Sequence, residues 1–353
     1  MLYFIVQRGH DYTLRNFLDS WGRSVRDRIA ILNYVDLAHA TKLPAGTYVF
    51  TDHDRMTPPQ VALASAVADT LMKHGCPALS HPRATLGRVA FLGAMHQAGI
   101  NDFRAILVRA GIPADLKFPV FLRLANEHTG SLGELIHSRG ELDRELAACP
   151  HRDSPHLLVV EFCDTSRNGL FGKYGAMRIG QRIMPRHVFV SRDWVTKRLS
   201  DEVGPEWLDA EDDYLRRFDA EFAQPIRRIF DLAKVDYGRL DFAVKDGSIR
   251  AWEINTNTML VNTPDAIHPD RLKTQSASAK QICDALVELD ERYKPSAGTI
   301  RLDLDPALRN AAGVTRRDRL LRGCGRVLNR LRNLPGVPAF WAGVARARWL
   351  ARQ

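Results

Sequence analysis

The chain has 353 residues, of which 45% are hydrophobic and 26% charged, with a formal net charge of +9. This is an ordinary globular composition, long enough for two or three domains, and no apolar run approaches the length of a membrane span. Residues 301–353 hold twelve Arg, no Lys and three Asp, so the first 300 residues balance 38 basic against 38 acidic groups. The neutral main body excludes a basic groove spread over the whole protein, and we expect no specific nucleic-acid binding.

Five scattered cysteines form no CxxC pair. This usage favours free thiols in a reducing compartment and argues against a structural zinc. The first residues contain no basic leader followed by a long apolar stretch, so we expect no signal peptide. The sequence therefore favours a cytoplasmic protein.

The N-terminal part alternates strand and helix patterns. We predict strands at 2–6 (LYFIV) and 48–52 (YVFTD), with helical spacing over 11–24 between them. A further helix is predicted at 60–75, where it ends at a glycine. Residues 1–82 are thus predicted to form a small α/β domain.

The middle of the chain continues with elements of both kinds. In chain order we predict a helix at 88–99, a strand at 118–125, a polar glycine-bearing loop at 126–134, a helix at 140–148, a strand at 156–164 and a hairpin at 174–191 that turns near Gly180. A helical pattern covers 212–233, and Pro225 inside it predicts a kink or a break.

Two strands follow, at 238–244 and 248–255, with Asp-Gly at 246–247 between them. Each strand alternates apolar with polar residues, so each has one apolar and one polar face. Asp-Gly is a strong signal for a hairpin turn. We therefore predict a hairpin whose apolar residues share one face.

The loop length decides where the acids of this hairpin lie. A two-residue loop pairs Asp241 with Trp252 and puts Asp241 and Glu253 on opposite faces. A three-residue loop pairs Asp241 with Glu253, and Asn255 joins them on one face. Only this register brings the apolar residues of both strands together, so we predict the three-residue loop.

Two carboxylates and an amide oxygen in one patch suit a hard divalent cation, Mg²⁺ or Mn²⁺, which takes oxygen ligands. The alternative is an ordinary solvated hairpin face on which Arg239 neutralises Asp241.

These motifs, in this order, resemble the ATP-grasp superfamily, in particular carboxylate–amine ligases of the glutathione synthetase and RimK type. The resemblance covers about residues 80–295 and rests on FPVFLRLANEHTGSLGEL, VVEFCD, YGAMRIGQRIMPRHVFVSRDW and RLDFAV…AWEINTN. It implies an α/β (α+β) fold with an N-terminal domain at 1–82, a small lobe with a phosphate flap at 83–160, a large lobe with a metal site at 161–297, and a basic helical extension at 298–353.

The resemblance also implies site residues for ATP and Mg²⁺. For the nucleotide they are Arg88, Arg123, Thr129, Gly130, Ser131, Glu161, Phe162, Cys163 and Asp164, and for the metal they are Asp241, Glu253 and Asn255. Members of the family usually carry Lys where Arg88 and Arg123 stand; Arg also binds phosphate, with a different geometry. The glycine-bearing loop has the alternative role of a plain turn, and Asp164 that of a strand-end acid in solvent.

Three other side chains are implied candidates. Arg178 is expected to contact the γ-phosphate or the substrate carboxylate, with a salt bridge across the sheet as its alternative role. Lys173 and His187 are weaker candidates.

The implied activity is ligation in which ATP converts a carboxylate to an acyl phosphate, which an amine or another nucleophile then attacks. The partners would be a small-molecule or peptide carboxylate and the nucleophile, and family habit implies a homodimer. A phosphotransferase that stops at a phosphorylated product and a nucleotide-binding regulatory protein without turnover are the alternatives.

The basic tail has near-helical spacing at 313–336 and 338–353. Its helices are expected to pack on the body or on a dimer partner. The alternative is binding to an anionic membrane surface, which would place the protein at the periphery of the inner membrane, or to an acidic partner.

Overall fold

The computed structural model describes residues 1–127, 130–196, 206–293 and 298–312. The strands are β1 (Leu2–Val6), β2 (Ile29–Asn33), β3 (Lys42–Pro44), β4 (Thr47–Phe50), β5 (Ala78–Leu79), β6 (Ala105–Leu107), β7 (Val120–Leu124), β8 (Leu157–Glu161), β9 (Phe171–Ile179), β10 (Arg182–Ser191), β11 (Tyr237–Lys245), β12 (Ser248–Asn255) and β13 (Thr299–Arg301). The helices are α1 (Tyr12–Asp19), α2 (Tyr34–His39), α3 (Pro58–Lys73), α4 (Arg88–Gln97), α5 (Arg139–Ala148), α6 (Glu206–Arg217), α7 (Ala223–Ala233), α8 (Leu272–Arg292) and α9 (Pro306–Ala311).

The N-terminal part forms a parallel sheet in the order β2-β1-β4-β5. β1 is apolar on both faces because the sheet is covered on both, as is usual for parallel strands. The short strand β13 pairs with β3, and Ile300 packs in the same core as Ile5 and Tyr48. Residues 298–312 therefore return to the N-terminal domain, whereas the basic segment 313–353, for which helices are predicted, lies outside the described residues.

A small antiparallel sheet in the order β6-β8-β7 follows. Along β7 the residues alternate: Val120, Leu122 and Leu124 are buried in an apolar core, and Phe121 and Arg123 between them are half-buried. This alternation directs Arg123 away from that core, to the other face of the sheet.

The large antiparallel sheet has the order β10-β9-β11-β12. One face packs Leu240 and Phe242 against Phe222 and Phe230 of the helical segment before β11. That segment is broken as predicted, since a π-helical stretch at Phe218–Phe222 separates α6 from α7, with Pro225 in the first turn of α7. On the other face Met177 and Tyr237 share a core with Leu2 and Phe4 of β1.

The predicted pairing of Asp241 with Glu253 is confirmed, but the three-residue loop is wrong. Lys245 pairs with Ser248, so the loop has two residues, Asp246 and Gly247, both with positive φ (51° and 72°). The register shifts between Asp241 and Phe242: Phe242 pairs with Ala251 and Asp241 with Glu253, which leaves Trp252 as the extra residue of a bulge. Because of this bulge, Asp241 and Glu253 lie on the same face of the sheet, whereas a two-residue loop without a bulge would put them on opposite faces.

Candidate functional site

A cavity of about 400 Å³ lies between the small sheet and the large sheet. Its lining includes four neighbouring aromatic residues, Phe121, Phe162, Phe171 and Trp194. It also includes the polar residues Arg123, Lys173, Arg239, Asp241, Glu253 and Asn255, which are called the charged end below. A cavity lined by aromatic rings and by charged groups matches a ligand with a flat apolar ring and an anionic tail.

The carboxylates at the charged end come from directly opposed positions. Asp241 of β11 pairs with Glu253 of β12, and Arg239 pairs with Asn255. Side chains of paired residues stand on the same face of a sheet. The structure therefore brings all three predicted metal ligands to one cavity wall.

Asp241 is buried beside two cations. Arg239 donates from Nε to Oδ1 (2.6 Å) and from Nη2 to Oδ2 (3.1 Å), and Lys173 Nζ lies 3.6 Å from Oδ2. Burial alone would raise the pKa of Asp241, but Arg239 and Lys173 outweigh it and hold the pKa below its ordinary value. Asp241 is therefore ionised, and its oxygens are shared among cations.

Glu253 is held by two arginines that are far away in sequence. Arg88 pairs with its carboxylate and also donates to the carbonyls of Ala125 (2.9 Å) and Glu127 (2.7 Å). Arg88 thus ties Glu253 to the end of β7 and does not line the main cavity. Phosphate binding by Arg88 stays a prediction, since its guanidinium contacts Glu253 and backbone carbonyls here.

Arg123 lines the cavity, with Nη2 3.8 Å from Glu253. Burial, with Arg88 nearby, lowers its pKa to about 10, although Glu253 opposes the shift. Its Nε is buried without a hydrogen-bond partner among the described residues. A buried guanidinium in this state gains from an anion in the cavity.

The residues predicted for adenine take different roles. Glu161 points its carboxylate at Arg104 (2.6 Å) and at the amide of Lys117 (2.9 Å), and the Arg104 contacts hold its pKa low against the effect of burial. Phe162 and Cys163 line the cavity. The alternative role of Asp164 is the observed one: it is exposed and accepts from the amide of Ser166 (2.9 Å).

The loop after β7 approaches the charged end of the cavity. Gly130 and Ser131 line the cavity, and Gly130 has φ of +94°, a conformation that favours glycine. The Leu132 amide donates to the Leu122 carbonyl (2.8 Å), so the loop folds back along β7. Thr129, also predicted for phosphate, lies outside the described residues.

Arg178 is not at this site. It pairs with Gly238, which puts it on the opposite face of the sheet from Asp241. It donates to Asp231 (2.6 Å) and to the carbonyl of Gly180 (2.9 Å). The contact predicted with phosphate or substrate is corrected to the alternative, a salt bridge, because strand parity turns this side chain away from the cavity.

Several cavity residues have a larger role than their sequence pattern predicts. Arg239 is predicted only to neutralise Asp241, and Lys173 is a weak candidate, but both lie on the face of Asp241. The signal was their spacing, because Arg239 stands two residues before Asp241 on one strand. Trp194 and Phe171 carried no comparable signal, since they lie just outside or at the end of their strands.

His187 is buried on the same sheet face, opposite Gly175, where a side chain on the glycine would clash with the imidazole. Burial, reinforced by Arg239 and neighbouring cations, lowers its pKa well below the ordinary value. It is not a cavity-lining residue.

The chemistry of the donors fits a hard cation, since Asp241, Glu253 and Asn255 offer only oxygens and both carboxylates line the cavity. Over the described ranges, no cluster of three or more His, Cys, Asp or Glu is placed to hold a metal. A site of two carboxylates and an amide suits Mg²⁺, which relies on substrate phosphates and water for its other ligands. Arg239 would have to release one oxygen of Asp241.

A parallel sheet at the N-terminus and two antiparallel sheets, with nine helices among the described residues, give the protein a mixed α/β architecture. The cavity lies between the two antiparallel sheets, and carboxylates of β11 and β12 line it. Within the described residues no helix is both long and apolar enough to cross a membrane.

No family model and no curated protein matches the chain. Among solved structures it resembles D-alanine–D-alanine ligase from Bacillus anthracis, at 14% identity and a TM-score of 0.48 over 82% of this chain and 97% of that one. It also resembles a RimK domain ATP-grasp protein from Sphaerobacter thermophilus, at 12% identity and a TM-score of 0.46 over 81% of this chain and 100% of that one. A further similar structure is the ATP-grasp ligase PsnB in complex with its precursor peptide PsnA2 and AMPPNP, at 12% identity and a TM-score of 0.45 over 82% of this chain and 97% of that one. At these identities none of them assigns an activity to this chain.

Proposed function

We propose that the protein is an ATP- and Mg²⁺-dependent ligase that activates a carboxylate as an acyl phosphate for attack by an amine. The observation that carries this proposal is that Asp241 and Glu253 are paired across β11 and β12 in the wall of a cavity that neighbouring aromatic rings also line. Adenine would lie between Phe162, Phe171 and Trp194, beside the backbone of Cys163. The triphosphate would then extend toward Arg123 and Lys173.

The cations explain how the site receives a polyanion. Arg123, Lys173 and Arg239 line the cavity together with three carboxylates, those of Glu161, Asp241 and Glu253. Arg104, which is not a lining residue, already neutralises Glu161, so three cations remain for Asp241, Glu253 and a bound anion. Phosphate oxygens would take over the contacts that these cations now make with Asp241 and Glu253. Asp241, Glu253 and Asn255 would hold Mg²⁺, which supplies positive charge against the phosphate oxygens.

The protein's own residues would position the reactants and neutralise the charge on the transferred phosphoryl group. A carboxylate oxygen of the substrate attacks the γ-phosphorus, the bond to the β-phosphate oxygen breaks, and ADP leaves. Arg123 and Lys173 stabilise the charge on the transferred group. The amine nitrogen next attacks the acyl carbon, the bond to phosphate breaks, and the nitrogen loses a proton. The cavity holds the reactants in line, and no protein nucleophile is needed.

A second candidate, a regulatory protein that binds nucleotide without turnover, is favoured by one observation. Arg88 holds Glu253 while it also donates to backbone carbonyls, so the carboxylate is already fixed in an ion pair. If Arg88 and Glu253 stay paired, Glu253 cannot bind a metal ion, but the aromatic residues of the cavity can still bind adenine.

One experiment separates the candidates. Purified protein is incubated with ATP, Mg²⁺, the twenty L-amino acids as carboxylates, and hydroxylamine, which traps acyl phosphates as hydroxamates. Hydroxamate together with ADP supports the ligase, and a stable phosphorylated product supports the phosphotransferase. ATP binding by calorimetry without ADP formation supports the regulatory protein. The Asp241→Asn variant should lose turnover, whereas Asp153→Asn, on an exposed loop, should not.

A further inference from the structure

A second polar cluster lies outside the cavity, at the carboxyl ends of β1 and β4. The chain leaves β1 toward β2 on one side of the sheet, and β4 lies on the other side of β1. Ligands of open parallel sheets bind outside the carboxyl ends of the strands at such a reversal of strand order. The loops that follow β1 and β4 there bring His10 and Asp52 together.

Asp52 is buried and held by several donors. It accepts from the Gln7 amide (2.7 Å), from Asn257 Nδ2 (2.8 Å), and lies 3.2 Å from His10 Nδ1. Its backbone is left-handed, with φ of 57°, which costs a non-glycine residue energy that the surrounding contacts must offset. The fold thus fixes this carboxylate against the imidazole.

The contacts of His10 define its tautomer. Arg55 Nη1 lies 3.4 Å from His10 Nε2, and a guanidinium only donates, so Nε2 is the acceptor and Nδ1–H donates to Asp52. Asp52 and Arg55 are charged groups in contact with the ring, and Tyr12 packs edge-on against it. A carboxylate on Nδ1 with a lone pair on Nε2 is the arrangement of a histidine general base.

Asn257 connects this pair to the proposed metal strand. Its Nδ2 donates to Asp52 and to the His10 carbonyl (3.1 Å), and its backbone amide donates to Asn255 Oδ1 (3.1 Å). Thr13 fixes the other end of the amide by donating to Asn257 Oδ1 (2.6 Å). The His10–Asp52 pair is therefore anchored through Asn257 to Asn255, the last residue of β12, which lines the cavity.

We propose that His10, oriented by Asp52, is the general base of the second half-reaction, and that the loops after β1 and β4 bind the amine nucleophile. This proposal rests on the ligase function proposed above. As the amine nitrogen bonds to the acyl carbon and phosphate leaves with the electrons of its C–O bond, the proton on nitrogen passes to His10 Nε2. Arg55, whose side chain is partly exposed, vacates Nε2 for the nucleophile.

The test compares His10→Gln with wild type and with His74→Gln, an exposed histidine at the end of α3. Glutamine keeps an amide donor for Asp52, and thermal unfolding checks that the variant is folded. Each protein is assayed with ATP and Mg²⁺ in two ways: with hydroxylamine, which is unprotonated at pH 7 and needs no base, and with the twenty L-amino acids as amine nucleophiles.

We expect His10→Gln to lose amine-dependent turnover by about 10²–10⁴-fold, the usual contribution of a general base, and to keep hydroxamate formation within about twofold. His74→Gln should match wild type in both assays. Amine-dependent turnover close to that of wild type, or an equal loss in both assays, overturns the assignment of His10. If wild type itself forms no hydroxamate with any carboxylate, the ligase function fails, and this proposal with it.

Discussion

Asp241 and Glu253 face each other across β11 and β12, although only two residues form the turn between these strands. A regular ladder with that turn would put the two carboxylates on opposite faces. The bulge at Trp252 prevents this, and Trp252 itself lines the cavity. The proposed metal site thus depends on one extra residue in the strand.

Replacing Asp241 with Asn should lower both activity and stability. The change leaves Arg239 buried without its negative partner, and breaking a buried ion pair costs about 3 kcal/mol. Urea unfolding without nucleotide measures this loss. Added ATP and Mg²⁺ should stabilise wild type but not the variant, and equal stabilisation of both would contradict the metal assignment.

Replacing Arg123 with Met should weaken ATP binding about tenfold to a hundredfold, because a partly desolvated cation that contacts phosphate is lost. Calorimetry at two salt concentrations measures the affinity. Arg152→Met, a mostly exposed arginine, is the control and should bind ATP like wild type. Unchanged affinity in Arg123→Met would place the phosphates elsewhere.

The pH dependence of stability should include a contribution from His187. Burial lowers its pKa in the folded state, so between that pKa and the ordinary value of about 6.5 the unfolded chain binds more protons. Stability therefore falls as the pH drops below about 6.5, by up to about 1.4 kcal/mol per pH unit from this group.

His187→Phe should flatten this decline. Nε2 of His187 has no partner among the described residues, so a ring of similar shape loses no hydrogen bond there. Urea unfolding of both proteins at pH 7 and pH 5 gives the comparison. A decline as steep in the variant as in wild type would assign the proton uptake to other groups.

Cys163 should be a slow nucleophile despite its place on the cavity wall. Burial, with the Asp102 carboxylate nearby, raises its pKa to about 11. At pH 8 the thiolate fraction is then about 10²-fold below that of a free cysteine, and alkylation by iodoacetamide should be slowed accordingly. Mass spectrometry of the Cys163 peptide measures the rate.

ATP should slow this alkylation further, because the base would cover the sulfur. If ATP leaves the alkylation rate of Cys163 unchanged, adenine does not bind against Cys163.

The fold was largely predictable from local patterns. The apolar run of β1, the hairpin turn at Gly180 and the break of the helix near Pro225 all follow from spacing and from the conformational limits of Gly and Pro. The division into domains at 82, 160 and 297 stays a prediction. The pairing of β13 with β3 had no local signal, because a three-residue strand shows no periodicity.

The site was predictable in part. The period of two along β11 and β12 put Asp241, Glu253 and Asn255 on polar faces, and the structure unites them. The face of Arg178 relative to these three residues follows only from the register in which β9 pairs with β11, which the period along a strand does not give. Arg88 meets Glu253 across 165 residues, and no spacing rule connects positions that far apart.

The sequence by itself determined which residues are apolar on each strand, and hence the elements, the two-faced hairpin and the carboxylates and amide on its polar face. The tertiary structure alone decided that a bulge sets the facing of the carboxylates, that distant arginines neutralise them, and that His10 meets Asp52 and Asn257. The physical reason is that periodicity records the face on which a side chain lies. The partner it meets there depends on how separate elements pack.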